Sequence, residues 1–310
     1  MIFSKKSATI WDHALERSKL GSETGTITVM PKANRHGSSP MCYKTLMVCC
    51  DLNAGNDNRL HITASLAERF DARVIGIAAE SEVIPVNLAE SDAFSNVDMW
   101  EVNQANVVKR LKLAEERFRD AFKGRAKQIE WRSALAEPVS FIAAESRAAD
   151  LVIVGKGHDE TSLDPADLVM WAGRPLLLIP NGIELKAERI LVAWKDTREA
   201  RRAICDALPL LRLCQKAIVA EIDENHNPEA ASRRVEDVAA WLASHGVNAT
   251  AWSEPLSKTA ATQLDALADT EVMDLIVTGA YGHAKFREWV FGGVTHDLLE
   301  QTSRCHLLAH

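Results

Sequence analysis

One segment of this chain occurs twice. Ala149-Asp150-Leu151-Val152-Ile153-Val154-Gly155 returns as Met273-Asp274-Leu275-Ile276-Val277-Thr278-Gly279, with the two aspartates 124 residues apart. Arg174-Pro175-Leu176-Leu177-Leu178 returns as Arg304-Cys305-His306-Leu307-Leu308, with the two arginines 130 residues apart. A repeat of that length is a domain, so 310 residues hold two copies of one unit rather than a single large fold. Between the two anchors the second copy is six residues longer, and the surplus lies just after an apolar strand.

The pattern inside each copy sets the fold class. Thr45-Leu46-Met47-Val48-Cys49-Cys50 is a short apolar run, as expected of a strand buried on both faces. A helix follows through Leu60, Thr63, Leu66, Ala67 and Phe70, then a strand at 74–78. Val108, Leu111, Ala114, Phe118 and Phe122 recur at helical steps up to Gly124, which suits a helix C-terminus. A strand at 129–133, a helix at 139–147 and strands at 151–154 and 176–179 complete the first copy. The second repeats the order: strands at 190–194, 217–222, 247–252, 275–278 and the C-terminal end, helices at 199–211, 235–242 and 259–268, with Gly246 ending the second of these.

Alternating strands and helices dictate parallel strands with right-handed crossovers. The expected fold is α/β: two tandem open parallel five-stranded sheets with helices on both faces, Rossmann-like, in domains at 41–182 and 186–310. The edge strands 176–179 and 306–309 are the expected contacts between the two. Residues 1–40 lack any sustained period and are expected to be either a mobile arm or a stretch upstream of the true start, since Met41 directly precedes the first strand.

Open sheets of this kind bind ligands beyond the carboxyl ends of their strands, where the strand order reverses. After Thr278 the second copy runs Gly279-Ala280-Tyr281-Gly282, then nine residues to Phe291, then Gly292-Gly293-Val294-Thr295. Glycines let backbone approach phosphate oxygens, and the free N–H groups of a helix starting near Gly293–Thr295 favour an anion. Thr295 adds a hydroxyl donor, and His283, Lys285 and Arg287 lie between.

This layout resembles the universal stress protein family, whose ATP-binding members carry Gly-x2-Gly-x9-Gly-(Ser/Thr) after the fourth strand. Gly279, Gly282 and Gly292 match in identity and spacing, and the resemblance runs from about Lys44 to the C-terminus. It implies a cytoplasmic stress-response protein of the adenine-nucleotide α-hydrolase-like fold that binds an adenine nucleotide, ATP foremost, in its second domain. Mg²⁺ enters only with the nucleotide. By this resemblance the site comprises Ala193, Trp194, Lys195 and Asp196 on the base side. Thr278, Gly279, Gly282, Gly292, Gly293, Val294 and Thr295 form the phosphate side. Two departures stand out. Gly293 replaces the family's Ser or Thr, keeping the amide but losing a hydroxyl, and Lys195 stands where an Asp commonly faces adenine. Base recognition then shifts to Asp196 or to backbone groups, or adenine specificity is lost. The same resemblance implies that the two domains pack as an internal pseudo-dimer, and a homodimer is a further expectation.

The first copy reads differently. Asp51 takes the adenine-side position, but Gly155-Lys156-Gly157-His158-Asp159-Glu160 is followed by Asp164-Pro165, a helix start already capped by a carboxylate, with Asp167 beside it. A triphosphate meets repulsion there, and the copy is expected to be degenerate for phosphate. An interaction scaffold without a ligand is the competing expectation for the whole chain, and a glycine-rich turn kept only for tight strand–helix packing is the alternative for the loop. An enzyme of the adenine-nucleotide α-hydrolase group comes third.

Other classes are excluded or disfavoured. A net charge of −7 argues against nucleic acid as a partner. There is no run of 18 or more apolar residues, so no membrane partner or span is expected, and Trp11, Asp12, His13 and Glu16 stand where a secretory signal needs an apolar stretch. The six cysteines form no Cys-x-x-Cys and read as buried, reduced thiols. His283, His296, His306 and His310 form no tight ligand motif, so no metal is expected and they read as solvated or capping side chains. The eight tryptophans read as core or rim, with Trp194 a wall of the pocket. Thr295, His296 and Asp297 are adjacent on one helix and point apart, so no catalytic set emerges and ATP hydrolysis is expected to be very slow or absent.

Overall fold

The structure is a computed structural model that describes residues 42–52, 57–81, 93–156, 163–280 and 303–310. The arm at 1–40 and, of the proposed site, Gly282, Gly292, Gly293, Val294 and Thr295 lie outside the described residues. The first half runs β1 (Thr45–Cys49), α1 (Asp57–Phe70), β2 (Arg73–Glu80), α2 (Ala93–Ala121), β3 (Ile129–Leu135), α3 (Pro138–Glu145), β4 (Leu151–Lys156), α4 (Pro165–Ala172) and β5 (Leu176–Pro180). The second runs β6 (Arg189–Ala193), α5 (Arg198–Leu211), β7 (Lys216–Asp223), α6 (Pro228–Ser244), β8 (Ala249–Pro255), α7 (Ala260–Thr270), β9 (Leu275–Gly279) and β10 (Cys305–Ala309).

Helix starts follow from local chemistry. Glu137 accepts from the amides of Val139 and Ser140 ahead of α3, Thr197 from Ala200 at α5, Asn227 from Ala230 at α6, and Thr259 from Thr262 at α7. Proline occupies the first turn of α3, α4 and α6, where its missing N–H costs nothing. Gly124 and Gly246 take the left-handed conformations, with φ of 75° and 81°, that let the chain leave α2 and α6. α2 is longer than the expected helix, at 29 residues, because it continues N-terminally through the polar stretch at 101–106, where the apolar repeat lapses.

Among the described residues all ten strands lie in one sheet, ordered β3-β2-β1-β4-β5-β10-β9-β6-β7-β8. Each half is a parallel five-stranded block in the same order from its outer edge inward. The two blocks are joined by an antiparallel pairing of β5 with β10, in which His306 faces Leu178, Leu307 faces Leu177 and Leu308 faces Leu176. The expected two sheets are therefore two parallel blocks of one sheet. The segment between the halves is held on α1, where Asn58 donates to the Ile183 carbonyl at 2.7 Å and Arg69 to the Lys186 carbonyl at 3.0 Å. The Tyr43 hydroxyl adds a bond from the first half to the Asp206 carbonyl on α5 at 2.6 Å.

Strand alternation divides the core between two faces. On one face Leu46, Val48, Ile190 and Val192 pack with side chains of α1, α2, α5 and α6 in a cluster that runs through both halves. On the other, Met47, Val152 and Leu178 pack with α4 in the first half, and Leu191, Ile218 and Ile276 with α7 in the second. All six cysteines are free; Cys49 and Cys305 are buried, whereas Cys205 on α5 is exposed, against expectation, because it lies on the helix face turned from the sheet. Trp171 is likewise no core residue but 74% exposed on the last turn of α4.

Candidate functional site

The strand order reverses twice, between β1 and β4 in the first half and between β6 and β9 in the second. These are the two places where parallel strands send their connections to opposite faces and leave a crevice at their carboxyl ends.

In the second crevice Ala193 at the end of β6 pairs with Thr278 of β9, and Gly279 closes that strand. Only four residues separate β6 from α5. Thr197 turns back on Lys195, its amide donating to the Lys195 carbonyl at 2.6 Å, and its hydroxyl accepts from Ala200 at 3.3 Å. This short turn lays the first turn of α5 directly over Gly279. A Cβ at that glycine would lie 2.5 Å from the Ala200 nitrogen and 2.6 Å from the Glu199 carbonyl carbon. Gly279 is thus required for strand–helix packing, whatever else it does.

The base-side candidates are brought together around this turn. Lys195 reaches Glu224 at 2.8 Å, and Asp196 is paired with Arg201; both pairs are about half exposed, and such pairs exchange readily with solvent or ligand. Trp194 is 8% exposed, on the face shared with α5 and α6, and its indole N–H has no hydrogen-bond partner. Thr278 is buried, its hydroxyl turned to the Gly279 carbonyl at 3.3 Å. Glu199 is buried in the first turn of α5; burial alone would raise its pKa, but hydrogen bonds from Arg198 and Thr197 outweigh that and hold its carboxyl below the usual range. Across the lead-in and first turns each cation has a carboxylate partner: Lys195 with Glu224, Arg198 with Glu199, Arg201 with Asp196 and Arg202 with Asp206, so the charges balance.

The first crevice is filled by the protein itself. Arg59 of α1 is buried, forms an ion pair with Asp51 at 2.5 Å, and lies so close to Gly155 of β4 that a Cβ there would meet its Nη1 at 2.6 Å. The carboxylate expected on the adenine side is therefore engaged by Arg59. Arg117 of α2 donates to the Asp51 carbonyl at 2.9 Å, and a small cavity remains between Cys49, Cys50, Arg59 and Arg117. At the start of α4, Asp164 accepts from the Ala166 amide at 2.8 Å, as the sequence implies. Burial, then Asp164 and Glu137, push the Asp167 carboxyl up from its usual value, the mark of a negative cluster at this helix start.

Three features escape sequence reasoning. Arg59 gives no signal beyond its place on α1, since the glycine it fills is more than ninety residues away. A pair joins buried Glu221 of β7 to half-buried Arg234 of α6, with Nε at 3.0 Å from the carboxylate, and Asp223 at the end of β7 is 2% exposed with one carboxylate oxygen unpartnered. His306, expected to be solvated or capping, is fully buried, because β10 lies at the centre of a ten-stranded sheet and not at the edge of a five-stranded one. Among the described residues no group of three or more His, Cys, Asp or Glu side chains could hold a metal ion, and no helix is long and apolar enough to cross a membrane.

No protein-family model matches the sequence, and no curated protein matches it. Solved structures do. A universal stress protein from Archaeoglobus fulgidus DSM 4304 superposes with a TM-score of 0.60 at 13% identity, covering 86% of this chain and 95% of that one. A functionally unknown protein from Pseudomonas aeruginosa PAO1 superposes with a TM-score of 0.55 at 14% identity, covering 86% of this chain and 92% of that one. The chain has the universal stress protein fold, over nearly the full length of both neighbours.

Proposed function

We propose that this is a tandem universal stress protein, cytoplasmic and nucleotide-responsive, whose second domain binds an adenine nucleotide, ATP foremost. One observation carries the reading: β9 ends beside β6 at Gly279, the first glycine of the sequence run Gly279-x2-Gly282-x9-Gly292, at the switch point where an open parallel sheet takes its ligand. Thr278, Gly279, Gly282, Gly292, Gly293, Val294 and Thr295 serve the phosphates through backbone amides and the Thr295 hydroxyl. Ala193, Trp194, Lys195 and Asp196 serve the base side, where the exposed Lys195 and Asp196 can each leave a surface ion pair for a ligand. Mg²⁺ accompanies the phosphates only. The first crevice, closed by Arg59 and acidic at α4, takes no nucleotide. The domains span 41–182 and 186–310 and pack as an internal pseudo-dimer, a reading that the β5–β10 pairing supports.

Isothermal titration of ATP into the full-length protein tests the site. Saturable binding at one site per chain is expected, abolished by Gly292→Asp, which sets a negative side chain among the phosphate amides. No heat at millimolar nucleotide overturns the reading. A ligand-free scaffold is the second reading, favoured by the close packing of α5 on Gly279, which accounts for that glycine without a ligand. It requires that no nucleotide raise the melting temperature.

A further inference from the structure

His306 sits on β10 in the seam between the halves, opposite Leu178 of β5 on one side and Ile276 of β9 on the other. It has no exposed surface, and neither ring nitrogen has a hydrogen-bond partner. Its strand neighbour on the same face, Leu308, and the facing Leu176 and Leu178 all belong to one apolar cluster. The internal repeat shows what this position needs structurally. Arg174 corresponds to Arg304, so His306 corresponds to Leu176, and the antiparallel register exchanges the two: His306 faces Leu178 as Leu176 faces Leu308. Leucine fills the equivalent place in the other half. The imidazole therefore adds nothing to packing that leucine lacks, and it leaves two buried polar nitrogens unsatisfied.

What the imidazole adds is a proton site held shut. Among the described residues the charged groups around it are Lys156 at the end of β4 and Arg304 two residues upstream, both cationic. Arg304 is itself tied to Asp265 at 2.8 Å and to Asp269, both on α7. The facing strands β5 and β9 carry no titratable side chain, and α4, packed on β5, carries only Asp167, in its first turn. Burial first, then Lys156 and Arg304, hold the His306 pKa down from 6.5 to about 3, opposed only by the nearby Arg304 backbone. Once the seam parts, the ring regains water and its ordinary affinity for a proton. Below pH 6.5 the open form takes up a proton that the closed form refuses, so each unit of acidification favours opening about tenfold.

We propose that the β5–β10 seam is an acid-sensitive joint and that His306 is its trigger, releasing the two five-stranded blocks from one another when it is protonated. The device is independent of nucleotide. Hydrogen exchange on the full-length protein, without nucleotide, at pH 7.5 and 5.0 and corrected for intrinsic rates, reads it directly. The opening constant of those amides at 176–179 and 305–309 that bond across the seam is expected to rise about thirtyfold on acidification, while those at 73–80 and 216–223 change far less. His306→Leu, which copies the other half, should reduce the seam's response to that of the two reference strands. If the leucine variant does not fold, His306→Gln, neutral at both pH values, gives the same readout. A seam that responds no more than the reference strands, or a response that survives the substitution, overturns the proposal.

Discussion

Replacing Gly279 with alanine tests the closest approach in the second crevice. The added methyl would lie 2.5 Å from the Ala200 nitrogen, 2.6 Å from the Glu199 carbonyl carbon and 3.0 Å from the Ala200 Cα. All three are backbone atoms of the first turn of α5, so no side chain can rotate away. Ordinary contact begins near 3.4 Å, so the helix start must retreat by close to 1 Å. It cannot do so freely, because Ala200, Ala203, Ile204, Ala207, Leu208 and Leu211 anchor the same helix in the core. Overpacking of this kind costs about 1–3 kcal/mol, and a rigid backbone neighbour puts Gly279→Ala at the upper end, about 3 kcal/mol. At about 2–4 °C per kcal/mol for a domain of this size, the melting temperature should fall by about 6–12 °C. Urea denaturation and thermal melting without nucleotide measure it. Gly155→Ala is the comparison: its methyl would meet the Arg59 guanidinium at 2.6 Å, a side-chain end that can move at the expense of its pair with Asp51, so the loss should be smaller. A change below about 0.5 kcal/mol for Gly279→Ala, the range of surface substitutions, would refute the packing argument.

Four further outcomes follow from the same structure. Asp164→Ala removes the side-chain cap of α4 and should cost about 1 kcal/mol by urea denaturation. Arg234→Met leaves the Glu221 carboxylate buried without its partner and should cost on the order of 2 kcal/mol, much of it restored by adding Glu221→Gln. Tyr43→Phe keeps the edge-on packing against Phe70 at 5.1 Å but loses the bond to the Asp206 carbonyl, for about 1 kcal/mol. The Asp167 carboxyl is raised in the folded state, so its contribution is intact below its unfolded pKa and is lost as pH rises through the folded one. Asp167→Asn should therefore raise the melting temperature at pH 7 and bring no gain at pH 3.

The features open to sequence reasoning are those set by neighbours along the chain. Buried parallel strands are apolar on both faces, so runs such as 45–49 and 151–154 declare themselves without knowledge of their partners. The Asp164-Pro165 start of α4 is chemistry within three residues, and the structure has the bond it implies. The repeat of 149–155 at 273–279 carries the strand order of one half over to the other, since the same pattern folds by the same crossovers.

What sequence reasoning misses lies across long separations. Arg59 and Gly155 meet only because α1 packs over the end of β4, and no local pattern records that contact. A packing role for the glycine turn is among the sequence expectations, but which helix lies on Gly279, and how closely, depends on the length of the turn from β6 to α5 and on where α5 then comes to rest.

The sequence by itself determined that this chain is a duplicated α/β unit with an extended glycine loop in its second copy, because strand and helix periods, caps and repeats are written in adjacent residues. The sequence reading already set 176–179 against 306–309; only the tertiary structure decided that these strands pair within a single sheet, so that neither is an edge and His306 is buried. The reason is physical: an edge strand and a central strand offer the same backbone hydrogen-bonding groups and here much the same apolar side chains. Which of the two a strand becomes is set by what pairs with its free side.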